Sequence, residues 1–262
     1  MEHSVSYQLG GSTPWTPIEI MVIEAARHLG HQENVLVGIG LPNLAANLAK
    51  RRHAPDLVLI YEAGVIGAVP RRLPLSIGDP CLVEGASAVF SIYELFCWYL
   101  QGGRVDVGFL EAAQVDRFGN LNSTVIGPYG YPKIRLPGSG GACDIMLLAQ
   151  RVIVLMPHRL VRFPLKVDFV TSPGHNTRPH SPGIGRGPEV VITDLGVLEF
   201  DEEGEMQLVA VHPGVDVTLV QARTGWPLRV ARTLRETAPP SEEELRILRS
   251  LDPDKVHLRR AE

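Results

Sequence analysis

The chain has 262 residues, 45% hydrophobic and 21% charged, with a formal net charge of -4 and a pI near 6.1. That composition is ordinary for a globular protein and carries neither the basic footprint of a nucleic-acid binder nor a polybasic membrane surface, so a small-molecule partner is the simpler expectation. The three cysteines (Cys81, Cys97 and Cys143) form no C-x-x-C pair, no apolar run approaches the roughly 18 to 20 residues of a membrane span, and the first residues lack a secretory signal's basic start and apolar core. The expectation is a cytoplasmic protein with reduced thiols, one α/β domain over residues 1–235 and a helical tail over 236–262.

Thr16-Pro17-Ile18-Glu19 opens a helix with a hydroxyl N-cap, proline at the first helical position and an acid three residues after the cap. It runs to about residue 30 with Ile20, Ile23 and Ala26 inward. The apolar run Asn34-Val35-Leu36-Val37 leads through Gly38-Ile39-Gly40 into a helical Leu44-Ala45-Ala46-Asn47-Leu48-Ala49: strand, glycine turn, helix. Gly38-x-Gly40 lacks the third glycine of a dinucleotide fingerprint, since Leu41-Pro42-Asn43 follows, and no Walker lysine is present. The turn is either a plain βα connection or a set of N–H groups able to meet an anion.

Leu57-Val58-Leu59-Ile60 shows no alternation and reads as a buried strand of a parallel sheet, completing a βαβ unit. Glu62 stands just past it, before Gly64 and Gly67. Ligands in open α/β sheets lie beyond the carboxyl ends of such strands. Glu62 is therefore either a half-desolvated functional carboxylate or a structural acid that caps the next turn or pairs with Arg71 or Arg72.

Residues 70–88 read as a long loop with short extended pieces, and 91–100 as a helix closed by Gly102-Gly103 with Tyr93, Phe96, Cys97 and Leu100 as a core stripe. A strand over 105–110 leads to Gln114, whose amide can meet a substrate oxygen or satisfy loop backbone, and to a β-turn over 116–120. Gly138-Ser139-Gly140-Gly141-Ala142-Cys143-Asp144 is a second glycine loop, able to form an N–H nest before a helix, and residues 151–157 are a further central strand. His175 and His180 have no third ligand at ordinary spacing, so no metal is expected. A strand begins at residue 189, and 197–200 with 206–209 form a hairpin turned by Glu202-Glu203-Gly204. Ser241 caps a final helix carrying Leu245, Leu248 and Leu251.

No G-x-S-x-G elbow, H-E-x-x-H or kinase set occurs. One carboxylate and two glycine loops suit acyl transfer through a carboxylate nucleophile. At this point the chain resembles the beta subunit of a class I coenzyme A transferase, of the glutaconate CoA-transferase type. The family's Ser-Glu-Asn-Gly segment, followed by two aliphatics and a glycine, corresponds to Tyr61-Glu62-Ala63-Gly64-Val65-Ile66-Gly67, and its Gly-x-Gly-Gly-Ala-x-Asp loop to Gly138-Ser139-Gly140-Gly141-Ala142-Cys143-Asp144. Elements within 103–122, Thr193-Asp194-Leu195-Gly196-Val197, His212-Pro213-Gly214-Val215 and Thr224-Gly225 fit as well, so the likeness spans residues 17–228.

The resemblance implies a three-layer α/β/α sandwich with a mostly parallel central sheet and a ping-pong CoA-transferase reaction. Glu62 is then the nucleophile, and Gly38, Gly40, Gln114, Gly140 and Gly141 are oxyanion or substrate contacts. Gly138, Ser139 and Ala142 belong to a CoA-binding loop. Coenzyme A is a substrate rather than a resident cofactor, and the partners implied are an alpha subunit, in a heterodimer or heterotetramer, with an acyl-CoA and a carboxylate. Tyr61 and Ala63 replace the family's serine and asparagine, and with the 70–88 loop they are expected to set water entry. Water entry would separate the transferase from a CoA-thioester hydrolase of the same fold; a non-catalytic ligand-binding or assembly subunit is the reading from another class.

Overall fold

The computed structural model describes residues 14–179, 183 and 185–261; His180 lies outside them. The strands are β1 (Asn34–Val37), β2 (Val58–Tyr61), β3 (Val65–Ile66), β4 (Ala88–Val89), β5 (Val107–Leu110), β6 (Gln114–Val115) and β7 (Leu121–Asn122). They continue with β8 (Val125–Ile126), β9 (Ile134–Arg135), β10 (Arg151–Leu155), β11 (Pro188–Ile192), β12 (Gly196–Phe200), β13 (Met206–Val211) and β14 (Arg229–Glu236). The helices are α1 (Pro17–Arg27), α2 (Leu41–Arg52), α3 (Ile92–Glu94), α4 (Ala142–Leu148), α5 (Val217–Ala222) and α6 (Glu242–Leu251).

Among the described residues ten strands form one sheet in the order β14-β13-β12-β11-β10-β5-β1-β2-β3-β4. The five central strands, from β11 to β2, run parallel, and antiparallel pairs flank them on both sides. The central strands are buried on both faces, which is why their sequences are continuous aliphatic runs. One face packs on α1, α2 and α6 through Met21, Leu44, Leu59, Phe109 and Leu248. The other packs on α4 and the segment after α3 through Leu36, Ile60, Leu95, Ile145 and Val152. The result is three layers, helices on sheet on helices. The expected hairpin is β12–β13, with Glu199 opposite Gln207. No helix among the described residues is long and apolar enough to cross a membrane.

Two expectations change. The helix over 91–100 is α3 continued by a π-helical turn over Leu95–Leu100, with Gln101 N–H donating to Phe96 O at 3.0 Å. A π turn shifts side chains off the 3.6-residue stripe, so Leu95 and Leu100 are buried while Tyr93 is 64% exposed and meets Trp98 edge-on at the surface. Tyr93 is therefore not a core residue. Phe96 is half-buried and turned toward the second glycine loop.

The tail helix α6 closes the layer of α1 and α2. Its N-terminal acid Glu244 is held by Arg27, with Nε–Oε1 at 2.9 Å and Nη2–Oε2 at 2.8 Å, and by the Ser241 N–H at 2.8 Å. Burial alone would raise the Glu244 pKa, but the Arg27 and Ser241 hydrogen bonds outweigh it and hold it at about 2. Because that value is depressed below the ordinary 4.5, the stabilisation is complete above pH 4.5 and is lost as pH falls toward 2. Glu244→Gln is expected to lower the unfolding free energy at pH 7 by about 3 kcal/mol and to flatten this acid limb, read by denaturant melts across pH.

Candidate active site

The carboxyl ends of β2, β1, β5 and β10 form one edge of the sheet, and the residues that follow them build the site. Register sets Leu36 beside Ile60 and Val37 beside Phe109, so Gly38 lies between Glu62 and Leu110. Side chains alternate along a strand, so Tyr61 and Glu62 face opposite layers. Tyr61 points into the α1/α2 layer, fully buried, and donates its hydroxyl to Asn43 Oδ1 at 2.8 Å. Burial pushes its phenol up to about 12. Tyr61 therefore ties β2 to α2 and does not gate water at Glu62, which corrects the expectation from sequence; Ala63 remains exposed beside it. Tyr61→Phe is expected to cost about 1 kcal/mol in a denaturant melt and to leave kcat within about twofold.

Glu62 points the other way, half-buried, toward Gly141 and Phe96. A Cβ at Gly141 would lie 2.5 Å from Glu62 Oε1 and 2.5 Å from Phe96 Cζ, so only glycine leaves room for the carboxylate there. Burial raises the Glu62 pKa above its ordinary 4.5, and the Gly141 N–H opposes the shift. Among the described residues Glu62 has no cationic partner, because Arg72 is committed to Asp79 through two contacts of 2.8 Å. The structural alternative of an ion pair with Arg72 is not the one adopted.

The other sites expected from sequence fall in four groups. Gly38 sits beside Glu62, but its N–H donates to Phe109 O at 3.3 Å as part of the sheet. The Gly40 and Gly140 N–H groups have no acceptor among the described residues. In the second loop Gly138 is pinned to Ser123, with its N–H on Ser123 O and its carbonyl accepting Ser123 Oγ, both at 2.8 Å; Ser139 and Gly140 are exposed and Ala142 begins α4. Gln114 is buried: its Oε1 accepts from Asn122 at 2.7 Å and from the Asp168 N–H at 3.1 Å, and its Nε2 donates to Asp168 at 3.3 Å. That amide braces the loops behind the site. Among the described residues no group of three His, Cys, Asp or Glu is placed to hold a metal, and His175 Nε2 lies 2.8 Å from Pro188 O.

Two charged residues were not singled out by sequence. Glu111 follows β5 just as Glu62 follows β2, an acid directly after an apolar strand, and that repetition is the signal that could have marked it. Helix α2 begins at Gly40, which has φ +109° and no side chain to cap with; Glu111 Oε1 accepts the Leu41 N–H at 3.0 Å instead. Glu111 is exposed as a residue, yet the protein around its carboxyl displaces enough water to push its pKa up to about 7, against the Leu41 N–H and the Arg162 charge. Arg162 ends the short turn Leu160–Arg162 after β10. No local pattern distinguishes it from the neighbouring Arg159.

Known proteins resemble this chain along most of its length. The sequence profile of the coenzyme A transferase family matches residues 19–223. The B-type subunit of the 3-oxoadipate CoA-transferase of Pseudomonas knackmussii is 48% identical over 239 residues, covering 89% of this chain and 92% of that one. The corresponding subunit of the glutaconate CoA-transferase of Acidaminococcus fermentans is 35% identical over 261 residues, with 94% and 96% coverage. The crystal structure of that organism's glutaconate CoA-transferase superposes with a TM-score of 0.86 at 33% identity, over 95% of this chain and 99% of the other. A fold with a carboxylate at the end of β2, a glycine loop set against it and this breadth of likeness place the chain in the coenzyme A transferase family, among its beta subunits.

Proposed function

We propose that the chain carries the nucleophile of a CoA-transferase that moves CoA between an acyl-CoA and a carboxylic acid, with Glu62 as the residue that forms the enzyme–CoA thioester. The observation that supports this most is the setting of Glu62, a carboxylate at the carboxyl edge of the sheet, half-desolvated, faced by the Gly141 N–H and neutralised by no cation among the described residues. An ionised carboxylate stripped of part of its water is a better nucleophile than one in bulk solvent.

A Glu62 carboxylate oxygen attacks the thioester carbon of the acyl-CoA, and the thiolate of CoA leaves, giving an acyl-glutamyl anhydride. The thiolate then attacks the glutamyl carbonyl carbon and expels the acyl group as its carboxylate, leaving CoA as a thioester on Glu62. A second carboxylate reverses both steps and departs as the new acyl-CoA. Each attack places negative charge on a carbonyl oxygen, and the Gly40 and Gly140 N–H groups, which have no acceptor among the described residues, and the Gly141 N–H, which faces Glu62, are the candidate donors. The exposed Ser139-Gly140 loop suits contact with the CoA chain, whose remote binding can drive the chemistry.

An alpha subunit completes the site in this reading, since the relatives are named as B subunits of two-part enzymes. The acids in those names, 3-oxoadipate and glutaconate, bear a carboxylate at each end, and we carry dicarboxylates to this chain as the substrate class. The test is to incubate the co-purified complex with an acyl-CoA and a second carboxylate. A new acyl-CoA supports the transferase; free CoA alone would overturn it in favour of a hydrolase.

A further inference from the structure

Among the described residues, Arg162 is a guanidinium just past β10, at the carboxyl edge of the sheet, that the fold positions without pairing. Its backbone is fixed: the Arg162 N–H donates to Arg159 O at 2.8 Å, the next residue Phe163 is fully buried, and Phe163 O accepts the Gly225 N–H at 2.7 Å. The turn that carries it packs against β6. The side chain is half-buried, yet among the described residues it makes no hydrogen bond or ion pair. None of its guanidinium nitrogens is buried without a partner, so the N–H groups reach solvent and are open to an incoming acceptor.

Three charged groups act on Arg162: Arg159, which repels it, and Glu111 and Asp194, which attract it. Neither acid is free to close on it. Asp194 is taken by Arg159 and the His158 N–H, each at 2.6 Å. Glu111 is tethered to the Leu41 N–H at 3.0 Å. Both acids attract the cation, and neither occupies its donors. Such an arrangement keeps a planar fork open for an incoming carboxylate, the partner its geometry fits best.

The location agrees with that use. Glu111 contacts the first N–H of α2, next to Gly40, and Gly38 is the register neighbour of Glu62. The strands ending at Glu62 and Glu111 are two sheet spacings apart, about 10 Å. Glu62 and Glu111 therefore stand at the same edge of the sheet on either side of the Gly38–Gly40 turn, Glu111 toward α2 and Glu62 toward α4.

We propose that Arg162 binds the carboxylate of the substrate remote from the reacting carbon, and so selects dicarboxylic acids and their CoA thioesters over monocarboxylic ones of the same length. Glu111 is its positioning residue, a neighbouring carboxyl that attracts the guanidinium without filling the fork. This rests on the transferase reading above for the reaction, though not for the binding.

The experiment compares glutaryl-CoA with valeryl-CoA, which differ at the remote end, as CoA donors to Glu62 in the complex with its alpha subunit. Wild type should form the thioester faster with glutaryl-CoA. Arg162→Gln should lose about 30-fold in that rate while the valeryl-CoA rate stays within about threefold, and Arg162→Lys should recover part of the loss. A glutaryl-to-valeryl ratio unchanged in Arg162→Gln would overturn the proposal. Calorimetric binding of glutarate and valerate to the same complexes decides the matter even if no thioester forms on Glu62: a glutarate affinity that falls in Arg162→Gln supports the assignment, and an equal one overturns it. Absence of labelling in wild type with glutarate binding intact would count against the glutamyl mechanism alone.

Discussion

Replacing Glu62 by glutamine in the assembled enzyme is expected to lower kcat by about 10⁴-fold, because a carboxamide cannot carry the acyl and CoA groups in turn. Glu62→Asp keeps the charge but withdraws it by one methylene from the carbonyl it attacks, and should cost about 10²-fold. Glu62→Gln should not destabilise the protein. Burial raises the Glu62 pKa, so the folded state disfavours its ionised form. A neutral glutamine removes that penalty, and the melting temperature should stay level or rise. The sign also fixes the pH profile. Activity needs the carboxylate, so kcat should fall on the acid side through a pKa higher than that of an ordinary glutamate, and the wild-type profile read against pH checks it.

The second large effect is expected at Gly141→Ala. Gly141 has φ -84° and ψ -2°, a conformation open to any residue, so alanine is not opposed by the backbone. The added methyl instead meets Glu62 Oε1 and Phe96 Cζ, both at 2.5 Å. Either the carboxylate or the Phe96 ring must move, and a displacement of about 1 Å at the nucleophile is worth about 10²-fold in kcat. The stability cost should be smaller, about 1 kcal/mol, since the ring is only half-buried and can shift. Gly130→Ala is the control: a Cβ there meets nothing within 4 Å, and both kcat and melting temperature should be unchanged. Equal losses in the two variants would remove the argument that Gly141 is a glycine for the sake of Glu62.

How much of this was legible before folding depended on how local each cause is. The central strands were readable because a strand buried on both faces must be aliphatic throughout, as in Leu57-Val58-Leu59-Ile60. The Thr16–Glu19 capping box and the Glu202-Glu203-Gly204 hairpin turn were readable because their hydrogen bonds close within a few residues. Glu62 stood out for its place after such a strand, and the order of motifs raised it above a structural acid. Tyr61 adjoins Glu62 in sequence but not in the site, because period-two alternation sets it in the opposite layer. Tyr93 lies outside the core because the π turn moves the stripe, and no residue type announces such a turn. Glu111 and Arg162 owe their roles to contacts across the fold. The Leu41 N–H that Glu111 caps is 70 residues away, and Arg162 differs from Arg159 only in lacking the acid that Arg159 has.

The most direct measurement is the mass of the Glu62 peptide after the complex is treated with an acyl-CoA and digested. A CoA adduct on that peptide, discharged when a carboxylate acceptor is added and absent in Glu62→Gln, is the predicted result. Steady turnover of acyl-CoA by a complex whose Glu62 peptide never carries CoA, with Glu62→Gln equally active, would contradict the account.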